Sequence, residues 1–297
     1  MKTTLLLCSA FFLNTAAADL TVATTHPLLS DLARQIGGKT VEVVDLVKPG
    51  TELHHFEPSA SQIKALQKSH LLLASGKHME SYLDKLKDAL GSGMTILEVG
   101  KTIPSLKVEA GSEIFMCCPE HAAGGIDPHW WHSAENMARA AKIIAEQFAT
   151  MDAANAAAYQ TSGAAVAAKM LDLKKWAQKE MASIPKSERK IVTAHAAFGY
   201  LCKEYGLQFI PMLGLSAEDD YSAKYVTKAV QTIRDKKIVG LFPEDGANPK
   251  ILQEIAKQTG VKLSTPLNAD GTMPGEGSTF EGMLRHNIIA IVTALKK

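Results

Sequence analysis

The side chains best suited to chemistry in this sequence are imidazoles and carboxylates at four separated places. His54 and His55 follow the apolar run Val41–Val47 through a Lys-Pro-Gly turn. His129 closes the run Asp127-Pro128-His129, His195 comes directly off Ile191-Val192-Thr193-Ala194, and Asp270 lies in a glycine-flanked loop. Three imidazoles and one carboxylate complete a four-coordinate shell, and nitrogen donors with a single anionic oxygen suit Zn²⁺. Taken singly, each residue has an ordinary structural reading. A histidine at a strand end is commonly hydrogen-bonded in place, and Asp270 is a good turn residue. It is the agreement of His54, His129, His195 and Asp270 in their placement that points to a metal.

The other chemical candidates are weaker. His26, ahead of Pro27, reads as the start of a helix or part of a cleft wall, and His132 as a neighbour of the site. His70, His78 and His286 read as surface or packing residues. Glu57 and Glu244 are ligands or general bases on one reading; on another, Glu57 beside Pro58 is a charge at a helix start. Trp130 and Trp131 read as core and cleft wall. The signatures H-E-x-x-H, G-x-S-x-G, G-x-x-x-x-G-K-[ST] and G-x-G-x-x-G are all missing, and no nucleophile–base pair suggests itself. A non-enzymatic role is expected, with a zinc-dependent hydrolase, three ligands and an open water position, as the competing class. The loop 109–125 contains Met-Cys-Cys-Pro-Glu-His-Ala-Ala-Gly-Gly, in which Cys117, Cys118, Glu120 and His121 form a short metal-acquisition loop, a disulfide-bearing segment (Cys202 being a further partner) or a plain flexible stretch.

The elements that must position these residues alternate. Strands are predicted at Leu20–Thr24, Val41–Val47, His70–Ser75, Thr95–Val99, Lys190–Ala194, Gln208–Met212, Ile238–Phe242 and Val261–Thr265. Helices are predicted at Leu28–Ile36, Ser59–Lys68, Tyr82–Leu90, Ala223–Asp235 and Pro249–Thr259. This alternation predicts an α/β fold with parallel sheets covered by helices. In such sheets ligands collect beyond the carboxyl ends of the strands, where all four candidate ligands fall. The stretch 152–184 differs: rich in Ala, Lys, Met and Leu, it stops at Pro185, and Asp152 can cap its start. It reads as one helix roughly 45 Å long, a rod between an N-terminal lobe, 19–151, and a C-terminal lobe, 185–297. Gly163 is the weak point at which two helices could be separated instead.

Composition narrows the partners. With 32 basic and 31 acidic residues among 297, the net charge of +1 gives no electrostatic reason to expect nucleic acid. The start carries Lys2, an apolar stretch from Leu5 to Leu13 and then Ala16-Ala17-Ala18, so residues 1–18 read as a cleavable signal peptide with Asp19 as the mature start. Cys8 is too early, and has the wrong neighbours, for lipidation. Export implies an oxidising compartment, in which Cys117, Cys118 and Cys202 make an odd set of thiols.

Several segments together carry a family resemblance: TTHPLLSDLARQIGG, PGTELHHFEPSASQIKALQKS, DPHWWHSAENMARAAKIIAEQF, TAHAAFGYLCKEYGL, PEDGANPKILQEIAKQTG and TFEGMLRHN. In order and nearly end to end, they resemble the metal-binding receptors of bacterial ABC transporters, particularly the zinc-specific periplasmic solute-binding proteins. The resemblance implies two (β/α) lobes, a single long connecting helix, limited hinge motion and one Zn²⁺ in the interlobe cleft. It also implies delivery to an ABC permease in the membrane, a periplasmic location and a monomer, with a periplasmic metal donor protein as a further partner. By the family's pattern the ligand of the first pair is His54, two residues before Phe56, and His55 falls on a variable position. The remaining ligands map to His129, His195 and Asp270, and a histidine at 195, where manganese receptors often carry Glu, favours zinc. Glu52-Leu53 replaces the family's frequent Asp-Pro, and the usual His-rich loop is missing. A manganese or iron receptor of the same fold is the nearest alternative.

Overall fold

Apolar runs bounded by Gly, Ser and Pro form short parallel strands, and amphipathic stretches between them form helices that cover the sheets. The computed structural model describes residues 20–48, 50–107, 125–193, 196–211, 223–246 and 248–296. Strands β1 (Leu20–Thr24), β2 (Val41–Asp45), β3 (Leu71–Ala74) and β4 (Thr95–Glu98) build one sheet in the order β2-β1-β3-β4, all parallel. All four side chains of β3 are buried, as expected for a parallel strand covered on both faces. The connections carry α1 (Pro27–Gly37), α2 (Ala60–Leu66) and α3 (Leu83–Leu90). A second parallel sheet, ordered β6-β5-β7, consists of β5 (Lys190–Thr193), β6 (Gln208–Pro211) and β7 (Gly240–Phe242), with α6 (Gly199–Tyr205), α7 (Ala223–Asp235) and α8 (Lys250–Thr259). Both sheets put their first strand in the middle, so each has a crevice at the carboxyl end where the strand order reverses.

Two expectations are corrected. Val261–Thr265 is not a strand; Leu263 makes a single parallel bridge to Leu241, and Leu267 another to Glu244. Pro243 and Pro266 carry no N–H, so no ladder runs past them. The long helix is also shorter than its sequence suggests. Helix α4 (Ala134–Met151) ends before Asp152, whose side chain caps a single 3-10 turn, Ala153–Asn155, and α5 runs from Ala156 to Met181. At 1.5 Å per residue α5 spans about 39 Å. Gly163 does not interrupt it: a Cβ there would lie 2.3 Å from Ala145 Cβ, so the glycine lets α4 and α5 close on each other.

Helix α5 is not a bare rod. It packs along α4, against α1 of the N-terminal lobe and against α9 (Phe280–Leu295) of the C-terminal lobe. One apolar cluster runs from Val22, Leu29 and Leu71 through Trp131, Ile144 and Met170 to Ile191, Phe242 and Ile288. The two lobes therefore share a core around α4 and α5. No helix among the described residues is long and apolar enough to cross a membrane.

Candidate metal centre

His54 sits in the loop after β2, where Glu52 braces it. The Glu52 carboxylate accepts from the backbone amides of His54 (2.9 Å) and His55 (2.7 Å), and Leu53 turns into the core. That fixes the direction of each neighbour: His54 is half-buried and His55 exposed. The loop departs from Asp-Pro at 52–53, yet a glutamate bonding forward to two amides supplies its own restraint.

His129 is fully buried between β4 and α4. Asp127 Oδ1 accepts from the His129 backbone N–H at 2.9 Å and lies 2.9 Å from Nδ1. A proton on Nδ1 directed at that carboxylate leaves the Nε2 lone pair facing outward, the orientation that metal-binding imidazoles are given by a carboxylate behind them. Nε2 of His129 is 3.2 Å from Nε2 of His54. Two imidazole nitrogens bound at ~2.0–2.1 Å to one tetrahedral ion stand about 3.3 Å apart, so this pair already has a ligand-like separation.

Asp270 comes from the C-terminal lobe on a turn held by amides. Asn268 Oδ1 accepts from Gly271 N at 2.8 Å, Asn268 Nδ2 donates to Gly277 O, and the Asn268 backbone exchanges two bonds with the buried Asn287 side chain on α9. Gly271 has a φ of 65° and lies against Leu28 of α1, where a Cβ would be 2.6 Å from the leucine; both conditions require glycine. Trp131 Nε1 donates to Ala269 O at 2.9 Å and ties this turn to the His129 segment. Ligand atoms of His54, His129 and Asp270 consequently all lie within 4.8 Å of one another. His195 follows β5 directly and lies outside the described residues, as do residues 1–18, Cys117, Cys118, Glu120 and His121.

The surroundings of His129 are buried. His26 caps α1, its Nδ1 accepting from Leu28 N at 3.1 Å, and its ring packs 4.3 Å from that of Trp131. Burial, reinforced by His132, pushes its pKa down from 6.5 to about 3, so the imidazole is neutral. His132 is buried against Phe198 at 4.7 Å. Trp130 and Trp131 are both buried. Burial raises the Glu80 carboxyl, which accepts from Thr25 Oγ1, Ser75 N and Gly76 N at the ends of β1 and β3. Glu57 stands at the surface within 3.9 Å of Lys85, and Glu244 is buried beside Leu267, neither within the three-residue cluster. Cys202 is a free, buried thiol whose pKa burial and the Asp127 charge push well up, which suits packing rather than metal capture.

Sequence reasoning gave no roles to Asp127, Glu52, Asn268 and Asn287. The spacing in Asp127-Pro128-His129 held the signal for the first, since a carboxylate two residues before a histidine can reach its Nδ1. The asparagines, far apart in sequence, gave none.

Two lobes meeting at a set of imidazole and carboxylate donors define a binding protein for a metal cation. The chain belongs to the family described as zinc-uptake complex component A, periplasmic (ZnuA), which residues 22–294 match. It is thus a metal-binding substrate-binding protein of the ABC-transporter type, a receptor and not an enzyme, and the hydrolase alternative is set aside. Among its relatives are the manganese-binding lipoprotein MntA of Bacillus subtilis, 32% identical over 95% of this chain and 92% of that protein, and the iron-binding protein YfeA of Yersinia pestis, 28% identical over 88% and 80%. The periplasmic zinc-binding protein TroA of Treponema pallidum has the same fold, with a TM-score of 0.82 at 24% identity, covering 94% of this chain and 99% of that one.

Proposed function

We propose that this chain is a zinc receptor that holds Zn²⁺ between its lobes on His54, His129, His195 and Asp270 and passes it to an ABC permease. The observation that carries this reading is the convergence of His54, His129 and Asp270 from both lobes to within 4.8 Å. Zinc is favoured over manganese by the donors: imidazole suits Zn²⁺, whereas an oxygen-rich set suits Mn²⁺, and the affinity order of divalent ions runs the same way. The lobes are 19–151 and 185–297, linked through 152–184. We place the mature monomer in the periplasm after removal of residues 1–18, supplied with zinc there by a donor protein. The named relatives support a second reading, a manganese or iron receptor, since one is called manganese-binding and another iron-binding.

Elemental analysis of the purified exported protein, with competition between Zn²⁺ and Mn²⁺ for the emptied site, separates the two. Zinc bound one per chain and displacing manganese is the expected result. Manganese bound as tightly as zinc would overturn the zinc assignment, and an intact Met1 on a cytoplasmic product would overturn the location.

A further inference from the structure

Two helices are completed by carboxylates from the opposite lobe. At the start of α4, Ser133 Oγ accepts from Asn136 N at 3.1 Å, which leaves the first amide of the helix for another acceptor. Ala134 N donates to Glu204 Oε1 at 3.1 Å, and Ser133 Oγ donates to Glu204 Oε2; Glu204 belongs to α6 of the C-terminal lobe. At the start of α9, Thr279 Oγ1 accepts from Gly282 N at 3.1 Å, and the first amide, Phe280 N, donates at 2.9 Å to Asp31 Oδ2. Asp31 belongs to α1 of the N-terminal lobe, and Gln35 Nε2 steadies its other oxygen at 2.8 Å. The arrangements are reciprocal: each lobe lends a carboxylate to the positive end of a helix in the other. Helix α4 continues the segment that carries His129, and α9 follows the turn that carries Asp270.

We propose that Asp31 and Glu204 are positioning residues for the metal centre, a pair of interlobe latches that hold His54 and His129 against Asp270 and set the rate at which metal enters and leaves. The proposal rests on the metal-receptor reading. On this proposal metal enters and leaves as the lobes part. A latch present with and without metal therefore slows both steps by the same factor, and its loss speeds both while leaving the affinity nearly unchanged as long as the closed form predominates.

Two tryptophans make the test independent of metal. Trp131 Nε1 donates across the lobes to Ala269 O, whereas Trp130 Nε1 donates within the N-terminal lobe to Ser75 O at 3.1 Å. Indole hydrogen exchange by NMR is compared in the metal-free full chain for wild type, Asp31→Ala, Glu204→Ala and the double variant. Exchange at Trp131 should quicken roughly fivefold in each single variant and about thirtyfold in the double one, the factors expected for losing a helix-cap bond, with Trp130 unchanged. Stopped-flow transfer of Zn²⁺ to and from a chromogenic chelator should show association and dissociation rising together by the same factors. Asp31→Asn and Glu204→Gln keep an acceptor oxygen but lose the charge, and should fall between wild type and the alanine variants. Equal acceleration at Trp130 and Trp131, or rates unchanged while melting temperature falls, would reduce both residues to ordinary caps and overturn the proposal. Faster dissociation alone, with a matching loss of affinity, would place their effect in the bound site and overturn it too. Wild-type protein that binds no metal would sink the receptor reading, leaving the Trp131 exchange to decide the latch.

Discussion

Asp127 holds the His129 imidazole by its Nδ1, and Glu52 holds the backbone of the His54 loop, so carboxylates restrain both segments before any metal arrives. Removing such support typically costs 10–100-fold in metal affinity. Asp127→Ala should therefore lower zinc affinity by roughly that factor in a calorimetric titration, and an effect below about threefold would show that burial alone orients the ring. The adjacent histidines give a sharper contrast. His54 Nε2 faces His129 while His55 is exposed, so His54→Ala should lose most of the affinity and His55→Ala little; the reverse ranking would move the site by one residue. At this scale the sequence shows donor types and spacing, which nominate His54, His129 and Asp270; the structure adds that the three stand together. The sequence does not show what stands behind them, because Asn268, Asn287 and Trp131 meet the site only through tertiary packing. His195 remains a sequence-based expectation.

Helix ends and helix contacts set how firmly the site is held. His26 caps α1 only while Nδ1 is unprotonated, and its folded pKa of about 3 lies below the unfolded value of 6.5. Between those values the unfolded chain holds the extra proton. The contribution of His26 is thus complete above pH 6.5 and drains as pH falls towards 3, with a slope of at most about 1.4 kcal/mol per pH unit. His26→Asn keeps a good capping side chain without the titration, so denaturant stability measured from pH 6.5 to 4 should fall less steeply than in wild type. An unchanged slope would place the acid sensitivity elsewhere. Gly163 makes a second test. Gly→Ala in a helix ordinarily stabilises by about 1 kcal/mol, yet here the new Cβ meets Ala145, so Gly163→Ala should lower the urea midpoint. The strands and most helices were legible because alternation and amphipathic spacing are local. The boundary at Asp152 was legible from its capping side chain; the 3-10 turn Ala153–Asn155 that delays the start of α5 to Ala156 was not, because the Ala-rich stretch runs on through it. Val261–Thr265 failed as a strand because it meets the short β7 through the single Leu263–Leu241 bridge and no more.

Across the whole molecule the lobes are joined by a shared core and by bonds that cross the cleft. Gly50 N donates to Thr272 O at 2.8 Å beside the His54 loop, and Leu106 N donates to Tyr200 Oη at 2.8 Å on the other flank. Metal binding should then act on a scaffold already assembled. Free Zn²⁺ at 1,000 times Kd should stabilise the fold by about 4 kcal/mol, and the gain should shrink as pH drops through ~6.5, where protons compete for the imidazoles. A melting shift that is flat between pH 7 and 5 would argue against a histidine-dominated site. The two-lobe plan was legible from alternating elements and the long Ala-rich helix, whereas the continuity of the core through α4 and α5 became visible only in three dimensions. The most direct test is anomalous diffraction at the zinc absorption edge from crystals of the zinc-loaded protein. A single strong peak is predicted at bonding distance from His54 Nε2, His129 Nε2 and an Asp270 carboxylate oxygen; a peak elsewhere, or none between those three side chains, would contradict the metal centre described here.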